Sequence, residues 1–232
     1  MSTPPLPRII ALDGPSGSGK STVARAVARQ LGWRYVDSGA TYRAVTLAAL
    51  RAGVDLTDAA AVAHAAQVPV ELATDPDAPG VRLDGEDVAT EIRGPEVTGA
   101  VSAVSAVPAV RAQMVTLQRR VAGDAAVVEG RDIGTVVFPD AAVKVFLDAD
   151  PDVRAQRRAG DTDAGVRVEG ADAVQAVAVD LARRDHLDSS RAASPLGAAA
   201  DAVHLDATTL SVDEVVARVL ELADAAGLVG GP

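Results

Sequence analysis

Residues 9–22, IIALDGPSGSGKST, constrain this chain more tightly than any other segment. Gly14, Gly19, Lys20 and Ser21 fit G-x-x-x-x-G-K-[ST], a loop whose backbone N–H groups cradle phosphates. The flanks agree with that reading. Ile9–Asp13 is a short apolar run of strand character. Val23, Ala24, Val27, Ala28 and Leu31 recur as one face of a helix that Gly32 would stop. A glycine-rich turn matching by chance would need neither neighbour. Glycines let the loop Gly14-Pro15-Ser16-Gly17-Ser18-Gly19-Lys20-Ser21-Thr22 turn its N–H groups inward, and a helix N-terminus adds partial positive charge. Lys20, expected as a solvent-facing loop residue, can then reach the β- and γ-phosphates, and the Ser21 hydroxyl can ligate Mg²⁺. The segment implies binding of a nucleoside triphosphate.

A chain of 232 residues with 48% hydrophobic content can bury a real core. With aromatics at 2%, that core must be built from Val, Leu, Ile and Ala. The lack of cysteine excludes disulfides, thiolate metal sites and cysteine nucleophiles. MSTPPLPR has neither a basic n-region nor an apolar h-region, and no apolar run reaches membrane-span length, so a cytoplasmic protein without a membrane partner is expected. A net charge of −10, with arginines spread among carboxylates, argues against a nucleic-acid polymer and fits a small phosphorylated substrate. Nothing in the chain looks like a partner-binding surface, and a monomer is expected.

Strand-like runs at Ile9–Asp13, Arg34–Asp37, Ala125–Glu129, Val143–Asp148 and Ala202–Asp206 are mostly separated by helical patterns. These are Lys20–Leu31, Ala40–Ala52, Pro108–Ala122, Asp152–Arg158 and Ser211–Ala226, the last opened by a capping box, Ser211-x-x-Glu214. The alternation predicts an α/β fold, a parallel sheet with helices on both faces. Ligands then bind at the carboxyl ends of the strands, where Asp13, Asp37, Glu129 and Asp148 stand. The pattern breaks between about Val54 and Thr98. There Val68–Leu72 and Val81–Val88 read as strands, with a loop at Asp75–Gly80 and a hairpin-turn signal at Asp84-Gly85, so a small insertion is expected. Gly160–Asp172 is polar and glycine-rich, open equally to a moving lid and to a plain surface connection.

The phosphate loop alone leaves the reaction open. The guanine motif N/T-K-x-D of switch GTPases is absent from the sequence, and AAVVE at Ala125–Glu129 could pass for a Walker B strand. Its sequel, Gly130-Arg131-Asp132-Ile133-Gly134-Thr135, sets a charged pair in a glycine-bracketed turn, a good place to grip a substrate. Asp37-Ser38-Gly39-Ala40-Thr41-Tyr42-Arg43 follows the second strand. Ser38 suits an N-cap for a helix from Ala40, and Arg43 stands within reach of a phosphate. Arg184, Asp188 and Arg191 share one face if helical, as do Arg154, Arg157 and Arg158. Either set could be a solvated face. Phosphoryl transfer, however, needs several cations around the transferring group, and this supply of arginines fits a kinase. A non-catalytic ATP-dependent switch would leave Arg43, Arg131, Asp132, Asp188 and Arg191 without a task.

On GPSGSGKST, DSGATYR, LDGEDV-x-x-EIR, EGRDIGTVVFPDA, VKVFLDAD, ARRDHLDSSRAASPL and LDATTLSVDEVV, the chain resembles the bacterial cytidylate kinases, a family of nucleoside-monophosphate kinases. The likeness covers nearly the whole chain. It implies transfer of the γ-phosphoryl of ATP to CMP or dCMP, with Mg²⁺. The implied fold is a P-loop core with a five-stranded parallel sheet at 1–61, 99–159 and 173–232, a monophosphate-binding insertion at 62–98 and a short lid at 160–172. Carried over position by position, Arg43, Arg131 and Arg191 would hold the CMP phosphate. Ser102, Arg111 and Asp132 would read the cytosine, and Ser38, Arg184 and Asp188 would face the sugar. Lys20, Arg131, Asp132, Arg154 and Arg158 would form the catalytic set. Arg157 would join the phosphate loop in holding ATP, within a lid group of Arg154, Arg157 and Arg158. Ser105 competes with Ser102 within VSAVSAVPAV, and Glu129 stands where related kinases often carry Asp, so a water-mediated contact to Mg²⁺ stays open. A kinase for UMP, dTMP or shikimate is the nearest alternative.

Overall fold

A computed structural model describes residues 7–160, 171–191 and 194–229. In chain order the first half runs β1 (Arg8–Asp13), α1 (Lys20–Leu31), β2 (Arg34–Asp37), α2 (Ser38–Arg51), α3 (Ala59–Ala65), β3 (Val70–Ala73), β4 (Gly80–Leu83), β5 (Glu86–Asp87) and α4 (Pro95–Ser105). The second half runs α5 (Pro108–Ala122), β6 (Ala125–Gly130), β7 (Val143–Asp148), α6 (Pro151–Ala159), α7 (Ala171–Ser189), β8 (Val203–Asp206) and α8 (Val212–Ala225). Among the described residues no single helix is long and apolar enough to cross a membrane.

The main sheet has five parallel strands in the order β2-β6-β1-β7-β8. Its centre is β1, where Ile10 pairs with Val127 on one side and Val143 on the other. The two-residue period of a strand sends alternate side chains to opposite faces. Ile10 and Leu12 accordingly pack with Val23 and Val27 of α1 and Val215 and Val219 of α8. Ile9 and Ala11 pack on the other face with Val36, Val128 and Ala122 of α5. Burial on both faces is why β1 and β6 read as continuous apolar runs rather than alternating ones.

The second sheet is antiparallel, in the order β3-β4-β5, and packs on α2, α3 and α4. The run Val81–Val88 turns at Asp84-Gly85, where the hairpin signal stands. Asp84 (φ 52°) and Gly85 (φ 80°) both adopt left-handed backbone, as a two-residue type I′ hairpin requires, and split it into β4 and β5. The run Val68–Leu72 starts late, at Val70, because Pro69 has no N–H to give a ladder; its carbonyl accepts from the Asp84 N–H instead. Three helices were not expected from the sequence, α3, α4 and most of α7. In α4 the reason is visible: a proline, Pro95, opens the segment, and it occupies the first turn, where a missing N–H costs nothing. The positions 62 and 98 fall inside α3 and α4, and one apolar cluster runs from β3 and β4 into α2, α4 and α5. Of the segment 160–172, residues 161–170 lie outside the described residues.

At Gly14 the carboxyl ends of β1 and β7 come together so closely that a Cβ would stand 2.0 Å from the Leu147 carbonyl oxygen. Only glycine fits. Gly14→Ala is expected to cost about 2–3 kcal/mol in a urea unfolding curve, the upper range for overpacking, because the obstacle is backbone. A shift under about 0.5 kcal/mol, the scatter of neutral surface changes, would show that the two strands part freely.

Candidate active site

One cleft of about 740 Å³ runs along the carboxyl ends of the strands, lined at one end by the phosphate loop and at the other by α4, α5 and α7. At the loop end, Gly17 and Gly19 take left-handed φ values of 79° and 91°. Lys20 is not a solvent-facing loop residue as expected. It is the first residue of α1, buried, with Nζ donating to the Pro15 carbonyl at 2.9 Å, so the loop closes on its own lysine. Burial, and then Arg131, push its pKa down to about 7 against the pull of Glu129. Ser21 Oγ donates to Glu129 Oε2 at 2.9 Å, and Tyr35 Oη donates to Glu129 Oε1 at 2.5 Å. Burial raises the Glu129 pKa, with Asp37 adding to it.

The other end gathers the arginines. Arg131 Nε donates to Asp188 Oδ2 at 3.0 Å, and its Nη1 donates to the Gly14 carbonyl at 2.9 Å. Arg191 Nη2 donates to Ser105 Oγ at 2.9 Å and to Asp188 Oδ1, which also accepts from Ser102 Oγ at 3.2 Å. Ser102 thus faces the Asp188 carboxylate, and Ser105 faces the Arg191 guanidinium that pairs with it. Arg111 pairs with Asp132 in an ion pair whose side chains are only 6% and 5% exposed. Its guanidinium also lies 5.2 Å from the Tyr42 ring centroid and donates to the Ser105 carbonyl at 3.1 Å. Arg43 donates to the Ile92 carbonyl and to Thr98 Oγ1 at 2.9 Å.

The electrostatics of this end are those of an anion site. Burial and then the neighbouring Arg184 and Arg158 push the Arg43 pKa down to about 9; burial and then Arg131 push Arg184 down to about 10. Guanidiniums stay charged in proteins, so the downward push expresses cations crowded against one another and out of water. Against burial, which would raise it, the guanidiniums of Arg131, Arg191 and Arg184 hold Asp188 below the usual carboxylate range.

Most of the residues picked from the sequence meet here. Lys20, Ser21, Ser38, Arg43, Ser102, Arg111, Arg131, Asp132, Arg157, Arg158, Arg184, Asp188 and Arg191 all line the cleft. Arg154 does not: it donates to the Ser16 carbonyl at 3.2 Å and to Asp185 of α7, tying the phosphate loop to that helix. The expected N-cap at Ser38 is also displaced. Asp37 caps α2, its carboxylate accepting from the Ala40 N–H at 3.0 Å, and Ser38 is already helical. Arg191 lies past the end of α7, so it reaches Asp188 from the following loop and not from a shared helix face. Asp13 was placed at a strand end without a role, and Tyr35 and Tyr42 were not picked, although Tyr42 stands within DSGATYR. Nor was the apolar wall of Ala207, Leu210, Val212 and Val215, where Arg157 Nη2 holds the Ala207 carbonyl at 2.7 Å.

The chain matches the family model described as cytidylate kinase over residues 10–225. It is 56% identical over 223 residues to the cytidylate kinase of Rhodococcus jostii, covering 95% of each chain, and equally so to that of Rhodococcus opacus. The cytidylate kinase of Nocardia farcinica is 54% identical over 213 residues, with 90% of each chain covered. A phosphate loop and an arginine-rich pocket on one cleft, with this likeness over nearly the whole length, lead to one conclusion: the chain belongs to the cytidylate kinase family of nucleoside-monophosphate kinases.

Proposed function

We propose that the cleft transfers the γ-phosphoryl of MgATP to CMP or dCMP, giving ADP and (d)CDP. The observation that carries the acceptor assignment is the Arg111–Asp132 pair, buried in the cleft that also holds the phosphate loop. A carboxylate accepts from the cytosine amino group, which uracil lacks, while a guanidinium donates to the ring carbonyl or nitrogen. Arg43, Arg131 and Arg191 would take the monophosphate, and Ser38, Arg184 and Asp188 the sugar. Ser102 would support the base through Asp188.

Phosphoryl transfer leaves little covalent work for the protein. Lys20 would exchange the Pro15 carbonyl for the β- and γ-phosphates, and Arg131, anchored on Gly14, would stand between donor and acceptor. Arg158 and Arg157 would add charge at the donor, and Arg154 would keep the Ser16 carbonyl in place. The acceptor is already an anion, so no general base is required. Mg²⁺ fits the oxygen donors at the loop. Ser21 Oγ would ligate it and Glu129 would hold a water on it, the remaining positions falling to phosphate and solvent. No group of three acidic, His or Cys side chains among the described residues could hold the ion alone. When bound, the ion neutralises charge developing between the β- and γ-phosphates. All these groups come from one chain, which fits a monomer acting on small nucleotides.

A coupled assay across CMP, dCMP, UMP and dTMP is expected to show turnover of CMP and dCMP, with kcat/KM for UMP at least about 100-fold lower. UMP turning over as well as CMP would refute the base assignment. Asp132→Ala is expected to raise KM for CMP by about 10–100-fold, the weight of one lost charged hydrogen bond, and KM for ATP hardly at all. An equal rise in both would point to a structural role.

A further inference from the structure

Asp132 stands at the entry of a π-helical turn, Ile133–Val137, where an aspartate ordinarily caps the free N–H groups of the first residues. Its side chain makes no such bond and turns to Arg111 instead. The cap comes from 120 residues away in sequence: Asp13 Oδ1 accepts the Ile133 N–H at 2.8 Å. Asp13 Oδ2 accepts the Gly134 N–H, also at 2.8 Å. Asp13 is the last residue of β1 and buried, and the next residue, Gly14, takes Arg131 on its carbonyl. Two consecutive residues entering the ATP loop thus hold Arg131, Asp132 and the turn that follows them.

From this geometry we infer that Asp13 is a positioning residue for cytosine recognition: by capping the turn in place of Asp132, it frees the Asp132 carboxylate to face Arg111 and the base. The inference rests on Asp132 reading the base, as proposed above. Burial raises the Asp13 pKa to about 6, with Asp132 adding to it, while the two amides and then Lys20 pull it down. The arrangement also links the two halves of the site, since the strand that presents the phosphate loop sets the acceptor pair.

Asp13→Asn keeps the volume but sets an N–H₂ donor against one of the two N–H groups, and one cap bond is lost. Asp132 can then cap its own turn and leave Arg111. The test measures CMP and ATP dissociation constants by calorimetry for Asp13→Asn, Asp132→Ala and the double variant, with CMP-against-UMP turnover for the single ones. Expected are CMP binding weakened about 10-fold in Asp13→Asn with lower CMP-over-UMP preference, ATP binding within about 2-fold, and a double variant no weaker for CMP than Asp132→Ala. Equal losses for both nucleotides, or losses that multiply in the double variant, would overturn the inference. So would unchanged CMP binding in Asp13→Asn beside a weakened Asp132→Ala. Unchanged CMP binding in Asp132→Ala would overturn the base assignment, and this inference with it. Asp13→Ser adds no bulk and leaves one short acceptor where the carboxylate offered two to the Ile133 and Gly134 N–H groups. It is expected to weaken CMP several-fold and leave ATP unchanged, which keeps the test decisive if Asp13→Asn fails to fold; no CMP effect would overturn the inference.

Discussion

Lys20→Met is expected to lower kcat by at least about 1,000-fold and leave the fold intact. Removing one charge-stabilising donor costs about 100- to 1,000-fold in enzymes whose catalysis is electrostatic, and this lysine would serve both the ground-state phosphates and the transition state. Stability should survive because the ammonium is desolvated, with its pKa driven down to about 7, and its Nζ gives a hydrogen bond to the Pro15 carbonyl that a folded chain can forgo. A methionine of similar length fills the space without that cost. An unfolded variant would contradict this account, and so would one that keeps a tenth of the activity.

The same lysine gives two pH trends of opposite sign. In the free enzyme the ammonium is lost as pH rises through about 7, so kcat/KM for ATP should bend downward there. Bound phosphates hold the proton, so kcat should bend only at higher pH. For folding, the unfolded chain keeps the Lys20 proton between about 7 and its ordinary 10.5 while the folded chain releases it, so this group adds stability as pH rises across that window. Urea midpoints at pH 7 and pH 9 check the sign: the wild type should gain on Lys20→Met over that interval.

Local motifs carried most of the site because their chemistry is local. GPSGSGKST, DSGATYR and GRDIG sit at strand ends, and period-two and helical patterns place those ends in one row. What depended on distant closure was not legible. Lys20 reads as solvent-facing until the loop folds back and brings the Pro15 carbonyl to its Nζ. Tyr35 lies inside the expected strand Arg34–Asp37, and its bond to Glu129 exists only because β2 and β6 are neighbours in register. Asp13 and the turn at Ile133 lie too far apart for any spacing rule to join them. Arg154 shares a helix with Arg157 and Arg158, yet Asp185 on α7 draws it away from the cleft. Spacing gives the face of a helix; a neighbour's charge decides which side chain leaves it.

The buried Arg111–Asp132 pair allows recognition and stability to be separated. Arg111→Met leaves Asp132 out of water without its ion-pair partner, and about 3–5 kcal/mol of unfolding free energy should be lost. The double variant Arg111→Met/Asp132→Ala holds no buried charge at this point and should recover at least half of that loss. Urea unfolding of the wild type and both variants measures it. A single-variant cost below about 1 kcal/mol, the worth of an exposed pair, would show that solvent already reaches the carboxylate. Failure of the double variant to recover would assign the loss to packing on the Tyr42 ring and the bond to Ser105 instead. CMP affinity should be lost in the single and the double variant alike. If stability returns while CMP binding does not, the pair is maintained for the base and not for the fold, since an apolar replacement would have held the chain together equally well.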